Sequence, residues 1–272
     1  MKSTEGNNDY AISVVIATLG GPSLSGTISS LMNGTKVPAE ILICIPIEHA
    51  HKTTSLASDT VKIIATEVKG QVKQRAFGFT QVKHELVLQL DDDILLEKNA
   101  LTDLVKHIVR LGKGNVIAPV YYGQTTHRCI HELQHSFLKN IFDSAICGAP
   151  WNRKKMGIVT GIGLNYGVDD GFCIEELKRT EWLPGGCVLS FREDLVAEDF
   201  FPFPGKAYCE DIYHSYYRKL RGLQLWVATR IRVYIEEPVP EFNKDAIEKV
   251  ISIRRHFLGL IKGPKWRLWL YE

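Results

Sequence analysis

The chain has 272 residues, 45% of them apolar and 24% charged, with a formal net charge of +2. That supports a large folded core and gives no charge excess to argue for nucleic acid, and no apolar stretch reaches the ~18–20 residues of a membrane span. Six scattered cysteines with no C-x-x-C pair read as reduced thiols of a cytoplasmic protein rather than a disulfide frame or zinc site, and the polar start "MKSTEGNNDY" is not a signal peptide.

The first half alternates between apolar runs and helical segments. "AISVVIAT" (11–18) is β-branched and reads as a strand, and "LGGPSLSG" then turns into a short helical stretch. "EILICIP" (40–46) and "VKIIAT" (61–66) read as strands, "GQVKQRAFGFTQVKH" (70–84) as a helix, and "ELVLQL" (85–90) as a fourth strand. Near-continuous apolar strands separated by helices indicate an α/β fold with a mostly parallel central sheet covered on both faces. Leu101, Leu104, Val105, Ile108 and Leu111 recur at helical spacing, with Asn99 as predicted cap and Gly112 as stop. "NVIAPVYY" (115–122) is the next strand.

The second half is less regular. "HRCIHELQHSFLKNIF" (127–142) reads as a helix, and the glycine-rich 152–171 stretch as loop. "EWLPGGCVLSFRED" (181–194) reads as turn, strand and helix start, "CEDIYHSYYRKLRG" (209–222) as a helix closed by Gly222, and "LQLWVATRIRVYIEE" (223–237) as strand. After Pro238 and Pro240 a helix is expected from about Asp245. The chain is expected to divide into a regular first half (1–122), a less regular second half (123–237), and a C-terminal helix with a basic aromatic tail (238–272).

"LVLQLDDDILLE" (86–97) places Asp91, Asp92 and Asp93 directly after an apolar strand. Three adjacent carboxylates repel and are costly to desolvate, so something must compensate. Open parallel sheets bind ligands at the carboxyl ends of their strands, and Mg²⁺ takes one or two carboxylates together with substrate phosphates. On an extended chain Asp91 and Asp93 point one way and Asp92 the other. A solvated acidic turn before a helix is the plainer alternative.

On "ISVVIATLG" (12–20), "KGQVKQRAFGF" (69–79), "LQLDDDI" (88–94), "WLPGGCVLSFRED" (182–194) and "EDIYHSYYRKLRG" (210–222), in this order, the chain resembles glycosyltransferase family 2, with the glycosyltransferase A fold. The resemblance implies an inverting, metal-dependent enzyme using Mg²⁺ or Mn²⁺ and a nucleoside-diphosphate sugar, most often uridine-linked. It implies that Thr18 and Leu19 hold the base, Asp92 contacts the ribose, Asp91 belongs to the donor site and Asp93 binds the metal. It further implies that Gln74 and Arg75 brace the nucleotide, and that in the pair Glu210-Asp211 the aspartate is the general base. By family analogy the acceptor is a glycan or lipid-linked glycan of bacterial surface-polysaccharide assembly.

Glycosyl transfer needs these parts on chemical grounds as well. Charge builds on the departing diphosphate, where a cation helps most, and the incoming hydroxyl must lose a proton to a placed base. The chain departs from the family pattern at two points. The stretch after the second strand, "CIPIEHA", offers only Glu48 as a base-reading carboxylate, and "YYRKLRG" replaces the Q-x-x-R-W of processive synthases. A haloacid-dehalogenase phosphatase also carries D-x-D, but on its first strand and followed by Thr or Val. A non-catalytic nucleotide-sugar-binding module is the other alternative.

Trp182, beside Gly185 and Gly186, suits stacking on an acceptor sugar, or else is a core tryptophan. His127, His131 and His135 would share one helical face, a spacing seen in zinc sites and equally on solvated faces. The 254–272 tail interleaves arginine and lysine with Trp266 and Trp269, which suits peripheral contact with the inner face of a membrane, or else a segment packed on the domain.

Overall fold

The structure, a computed structural model, describes residues 10–133, 136–204, 207–237 and 244–271. Strands β1 (Ile12–Ala17), β2 (Glu40–Pro46), β3 (Val61–Thr66) and β4 (Leu86–Leu90) fall where the apolar runs predict them. They are followed by β5 (Ile94–Leu96), β6 (Asn115–Gly123), β7 (Leu177–Thr180), β8 (Cys187–Phe191) and β9 (Gln224–Ile235). One sheet holds them in the order β3-β2-β1-β4-β8-β6-β9-β5, with β7 on β9. β8 runs antiparallel to β4 and β6, and β5 and β7 antiparallel to β9, so the remaining strands all point one way.

Side-chain alternation along β1 distributes the core to two faces. Val14 and Ile16 pack with Leu24 and Ile28 of α1 (Leu24–Met32) and with Leu104 and Ile108 further along the chain. Val15 faces the other way, toward Phe79 of α2 (Gln71–Gln81). Leu104 and Ile108 belong to α3 (Ala100–Leu111), where full burial of each contributes roughly 1.5–3 kcal/mol. Gly78 lets α2 lie close to the sheet: a Cβ there would stand 2.5 Å from Val15 Cγ1 and Cys44 Sγ. This closeness brings the first turns of α2 to the strand ends.

The structure corrects several expectations. Residues 127–133 are not helical. His127 adopts a left-handed φ of 51°, and the chain folds back so that the Ile130 N–H bonds the Tyr121 carbonyl at 2.9 Å. Pairing with β6 outweighs local helical pattern there, and the helix is confined to α4 (Phe137–Ala145). The expected helix after β8 is a single 3-10 turn, Arg192–Asp194. Asn99 sits at the head of α3 but makes no side-chain capping bond. Two strands escape the sequence pattern, β5 because it has three residues and β7 because its "LKRT" is polar.

Helices α5 (Glu210–Leu220), α6 (Lys244–Leu260) and α7 (Lys265–Tyr271) complete the fold. Ile253 and Phe257 of α6 bury against Ile212 and Tyr213 of α5. Pro238 and Pro240, predicted to precede α6, lie outside the described residues. All six cysteines are free thiols. Among the described residues no helix is long and apolar enough to cross a membrane.

Candidate active site

The carboxyl ends of β1 and β4 meet a cleft of ≈ 930 Å³. Thr18 and Leu19 line it after β1, Gly70 to Gln74 at the start of α2, Asp92 after β4, and Asp199 to Pro204 opposite. Lys69 and Lys73 also line it. Each lysine is held by a carboxylate: Lys69 by Glu48 at 2.7 Å, and Lys73 by Asp199 at 3.3 Å. Glu48 thus stands at the rim, partnered through Lys69.

The triplet occupies the turn between β4 and β5, and its three carboxylates have three surroundings. Asp91 accepts hydrogen bonds from Arg75 at 2.8 Å and Gln71 at 3.1 Å. Asp92 accepts from the Thr18 hydroxyl, and its carbonyl from Thr27 at 2.9 Å, which ties the ends of β1 and β4 together. The Asp93 carboxylate accepts no side-chain hydrogen bond among the described residues. Burial, then the neighbouring charges of Asp91 and Asp92, push its pKa up to about 6. Burial, opposed by Arg75, also raises Asp91.

Arg75 joins the two acidic clusters. It is 2% exposed, and donates from one guanidinium nitrogen to Asp91 at 2.8 Å and from another to Glu210 Oε1 at 2.7 Å. Burial works against its charge, but the Glu210 and Asp91 carboxylates outweigh that and raise its pKa. Glu210 Oε2 and Arg75 Nε are buried without protein partners. Burial, Glu210 and Asp91 drive the pKa of Asp211 well above the usual carboxylate range, while the Gly185 N–H opposes them. Gly185 sits against this pair so closely that a Cβ would collide with Asp211 Oδ1. Gly186 lies beside Asp91, where a Cβ would stand 3.2 Å from Oδ2. Cys209 enters α5 at φ 59°, a left-handed conformation that costs a non-glycine residue of order 1 kcal/mol and is common at functional sites.

Two predicted nucleotide contacts are internal braces. Gln74, 2% exposed, donates to the Thr18 carbonyl at 3.0 Å and the Cys44 carbonyl at 2.9 Å, locking the ends of β1 and β2. Arg75 braces carboxylates. Trp182 is 3% exposed, with its indole N–H on the Tyr166 carbonyl at 2.8 Å and its ring edge-on to His131, which is the core alternative. His127 instead meets Tyr234, so the two histidines share no helical face, and His135 lies outside the described residues.

His131 has a thermodynamic consequence. Burial pulls its pKa down to about 4, against ~6.5 in an unfolded chain. The unfolded state therefore binds more protons below pH ~6.5, and stability is lost as pH falls from there toward the folded value. Between pH 7 and 5 this single group should cost ~2 kcal/mol. Asp91, Asp93 and Asp211, whose pKa values are raised, act in the opposite sense. The informative quantity is hence the difference between wild type and His131→Gln in urea unfolding. It should shrink by that amount on acidification, and a constant difference would remove His131 from the acid response.

A divalent cation suits Asp93. A carboxylate without a side-chain partner beside two like charges is the donor a hard cation takes, and the phosphates of a substrate supply further oxygens. A different group, Cys129, Asp169 and Asp170, brings three ligand atoms within 4.8 Å. Its carboxylates are already engaged: Asp169 by the Leu133 and Gly171 N–H groups at 2.8 and 3.0 Å, Asp170 by Tyr122 at 2.8 Å and Arg232 at 3.3 Å. It is a satisfied hydrogen-bond network.

Sequence reasoning missed Gln89 and Arg218. Gln89 Nε2 donates to the Gly185 carbonyl, and Arg218, 2% exposed, donates to Gln89 Oε1 at 3.3 Å. A glutamine within the apolar run "LVLQL" is the signal that would have found the first. Arg218 fixes the glycine turn against which Asp211 lies.

The family model for glycosyl transferase family 2 matches residues 13–162. No curated protein matches. Among solved structures, that of GalNAc-T7 with UDP, GalNAc and Mn2+ is 17% identical with a TM-score of 0.61, over 90% of this chain and 48% of that one. Staphylococcus aureus TarS is 14% identical with a TM-score of 0.54, over 90% and 39%. Its 1–349 fragment in complex with UDP-GlcNAc is 15% identical with a TM-score of 0.57, over 92% and 66%. The chain thus spans half or less of the first two structures it matches, and the likeness establishes the glycosyltransferase A fold.

Proposed function

This chain belongs to glycosyl transferase family 2, and on that premise we propose that it moves a sugar from a nucleoside-diphosphate donor to a hydroxyl of a glycan or lipid-linked acceptor, with inversion. The observation that carries the reading is the Arg75 bridge, which sets the acidic turn at the cleft beside the acidic pair at the head of α5. Glycosyl transfer needs a place for the leaving diphosphate next to a base for the acceptor, and the two clusters supply them.

In this reading the donor lies in the cleft, its base near Thr18 and Leu19 and its ribose at Asp92. Lys69 and Lys73 stand at the rim, each paired with a carboxylate that a diphosphate would compete with. Asp93 would hold a Mg²⁺ or Mn²⁺ ion that offsets charge on the departing diphosphate. Asp211 takes the acceptor proton, helped by the raised basicity that burial gives it. Gly185 and Gly186 let the turn close tightly on Asp211 and Asp91, which holds that carboxylate in place. A uridine donor is supported by the UDP and UDP-GlcNAc bound in the similar structures. Surface-polysaccharide assembly as the setting rests on family analogy.

The test is binding. UDP affinity, by calorimetry, should be about tenfold or more higher with Mn²⁺ than with chelator, because a cation held by Asp93 would offset the diphosphate's charge. Asp93→Ala should erase that difference. Equal affinity with metal and with chelator in the wild type overturns the metal assignment.

A further inference from the structure

Helix α4 is inverted relative to an ordinary surface helix. Its buried residues are polar: Asn140 and Asp143 face inward and bind the buried ammonium of Lys155, at 3.2 and 2.8 Å. Its apolar residues face out, with Phe137 70% and Leu138 76% exposed, and Ile141 and Phe142 exposed beside them. These four positions lie on one helical face, the face a soluble helix normally buries. The Lys155 network holds the helix this way round, since turning it over would strand a buried charge.

The outward face of α4 is continuous with α7. Phe142 meets Tyr271 at 6.3 Å between ring centroids, and Phe137 meets Trp151 at 5.9 Å. On α7 only Leu268 is buried, while Trp266 and Trp269 are 58% and 73% exposed and Leu270 is exposed beside them. Contiguous exposed apolar surface of this kind marks an interaction site. The charge around it selects the partner. From Ser252 to Tyr271 the chain carries Arg254, Arg255, Lys262, Lys265 and Arg267 and no acidic residue. On α4 the outward charge is Lys139, and Asp143 is neutralised by Lys155.

We infer that α4 and α7 together form one docking surface for an anionic lipid bilayer. Tryptophans and leucines would enter the interface while lysines and arginines stay at headgroup level. Sequence alone pointed at the tail; the second half of the surface, on α4, comes from the helix's orientation. The inference does not depend on the sugar-transfer reading.

The experiment is co-sedimentation of the full chain with phosphatidylcholine vesicles containing about a third phosphatidylglycerol, and with pure phosphatidylcholine. Binding is expected at low salt to the anionic vesicles, weakening as salt screens the attraction. The double variant Phe137→Glu, Leu138→Glu changes only exposed side chains and leaves α7 intact. It should keep the wild-type melting temperature yet lose roughly tenfold or more of the vesicle affinity. Trp269→Glu should weaken binding as well. Failure of the wild type to bind anionic vesicles at low salt overturns the proposal, as does unchanged binding by the α4 double variant. Concentration-dependent self-association in light scattering, abolished by the same variant and unaccompanied by vesicle binding, would assign the surface to a second copy of the chain and likewise overturn it.

Discussion

Asp211→Asn is expected to lower sugar transfer by ~10²–10⁴, the usual effect of losing a general base, while leaving UDP affinity within about twofold. The substitution keeps size and removes basicity. In the proposed reading donor and metal contacts fall to Thr18, Asp92 and Asp93 on other segments, so binding should survive. Because burial and the charges of Glu210 and Asp91 raise the Asp211 pKa, the wild-type rate should climb with pH beyond the usual carboxylate range as this group loses its proton. The variant should lack that limb. Transfer at near the wild-type rate would move the base elsewhere, and Glu210, with one buried oxygen unpartnered, is the next candidate. Loss of UDP binding would instead make Asp211 part of the donor site.

Arg75→Met should destabilise the fold by about 3–5 kcal/mol, because it strips the cation from two buried or half-buried carboxylates. Proton uptake by Asp91, whose pKa burial raises and Arg75 holds down, would soften the loss, so it should be larger at neutral than at acid pH. The double variant Arg75→Met, Glu210→Gln should recover part of the stability by removing the stranded charge. Urea midpoints give both quantities. If the single variant is as stable as wild type, the bridge does not hold the two clusters together. Transfer should fall in both variants even where stability recovers, since the bridge sets the distance between donor and base.

Much of the fold was legible because the parallel strands are buried on both sides and so read as unbroken apolar runs. β7 was not, because a polar edge strand looks like a loop, and β5 was too short to show a period. The candidate site was legible by residue type: Asp91 to Asp93, Glu210 and Asp211 do lie together. Its wiring was not. Arg75 meets Glu210 across 135 residues of sequence, and no local pattern encodes that contact. Gln74 and Arg75 read as bracing the nucleotide because they match family positions; their hydrogen bonds to the Thr18 and Cys44 carbonyls and to Asp91 and Glu210 are long-range and carry no local pattern. The orientation of α4 was hidden for a related reason. Four apolar residues at helical spacing define a face, but which way that face points depends on Lys155, buried beneath it.

The measurement that bears most directly on sugar transfer is release of nucleoside diphosphate from a panel of sugar nucleotides by the wild-type chain, with Mn²⁺ and with chelator. The site described here should release it from at least one uridine-linked donor, in the presence of Mn²⁺ and not of chelator, and Asp93→Ala should abolish that release. Tight binding of the same donors with no diphosphate released from any of them, whether or not an acceptor glycan is supplied, would contradict it and leave a nucleotide-sugar-binding module in place of an enzyme.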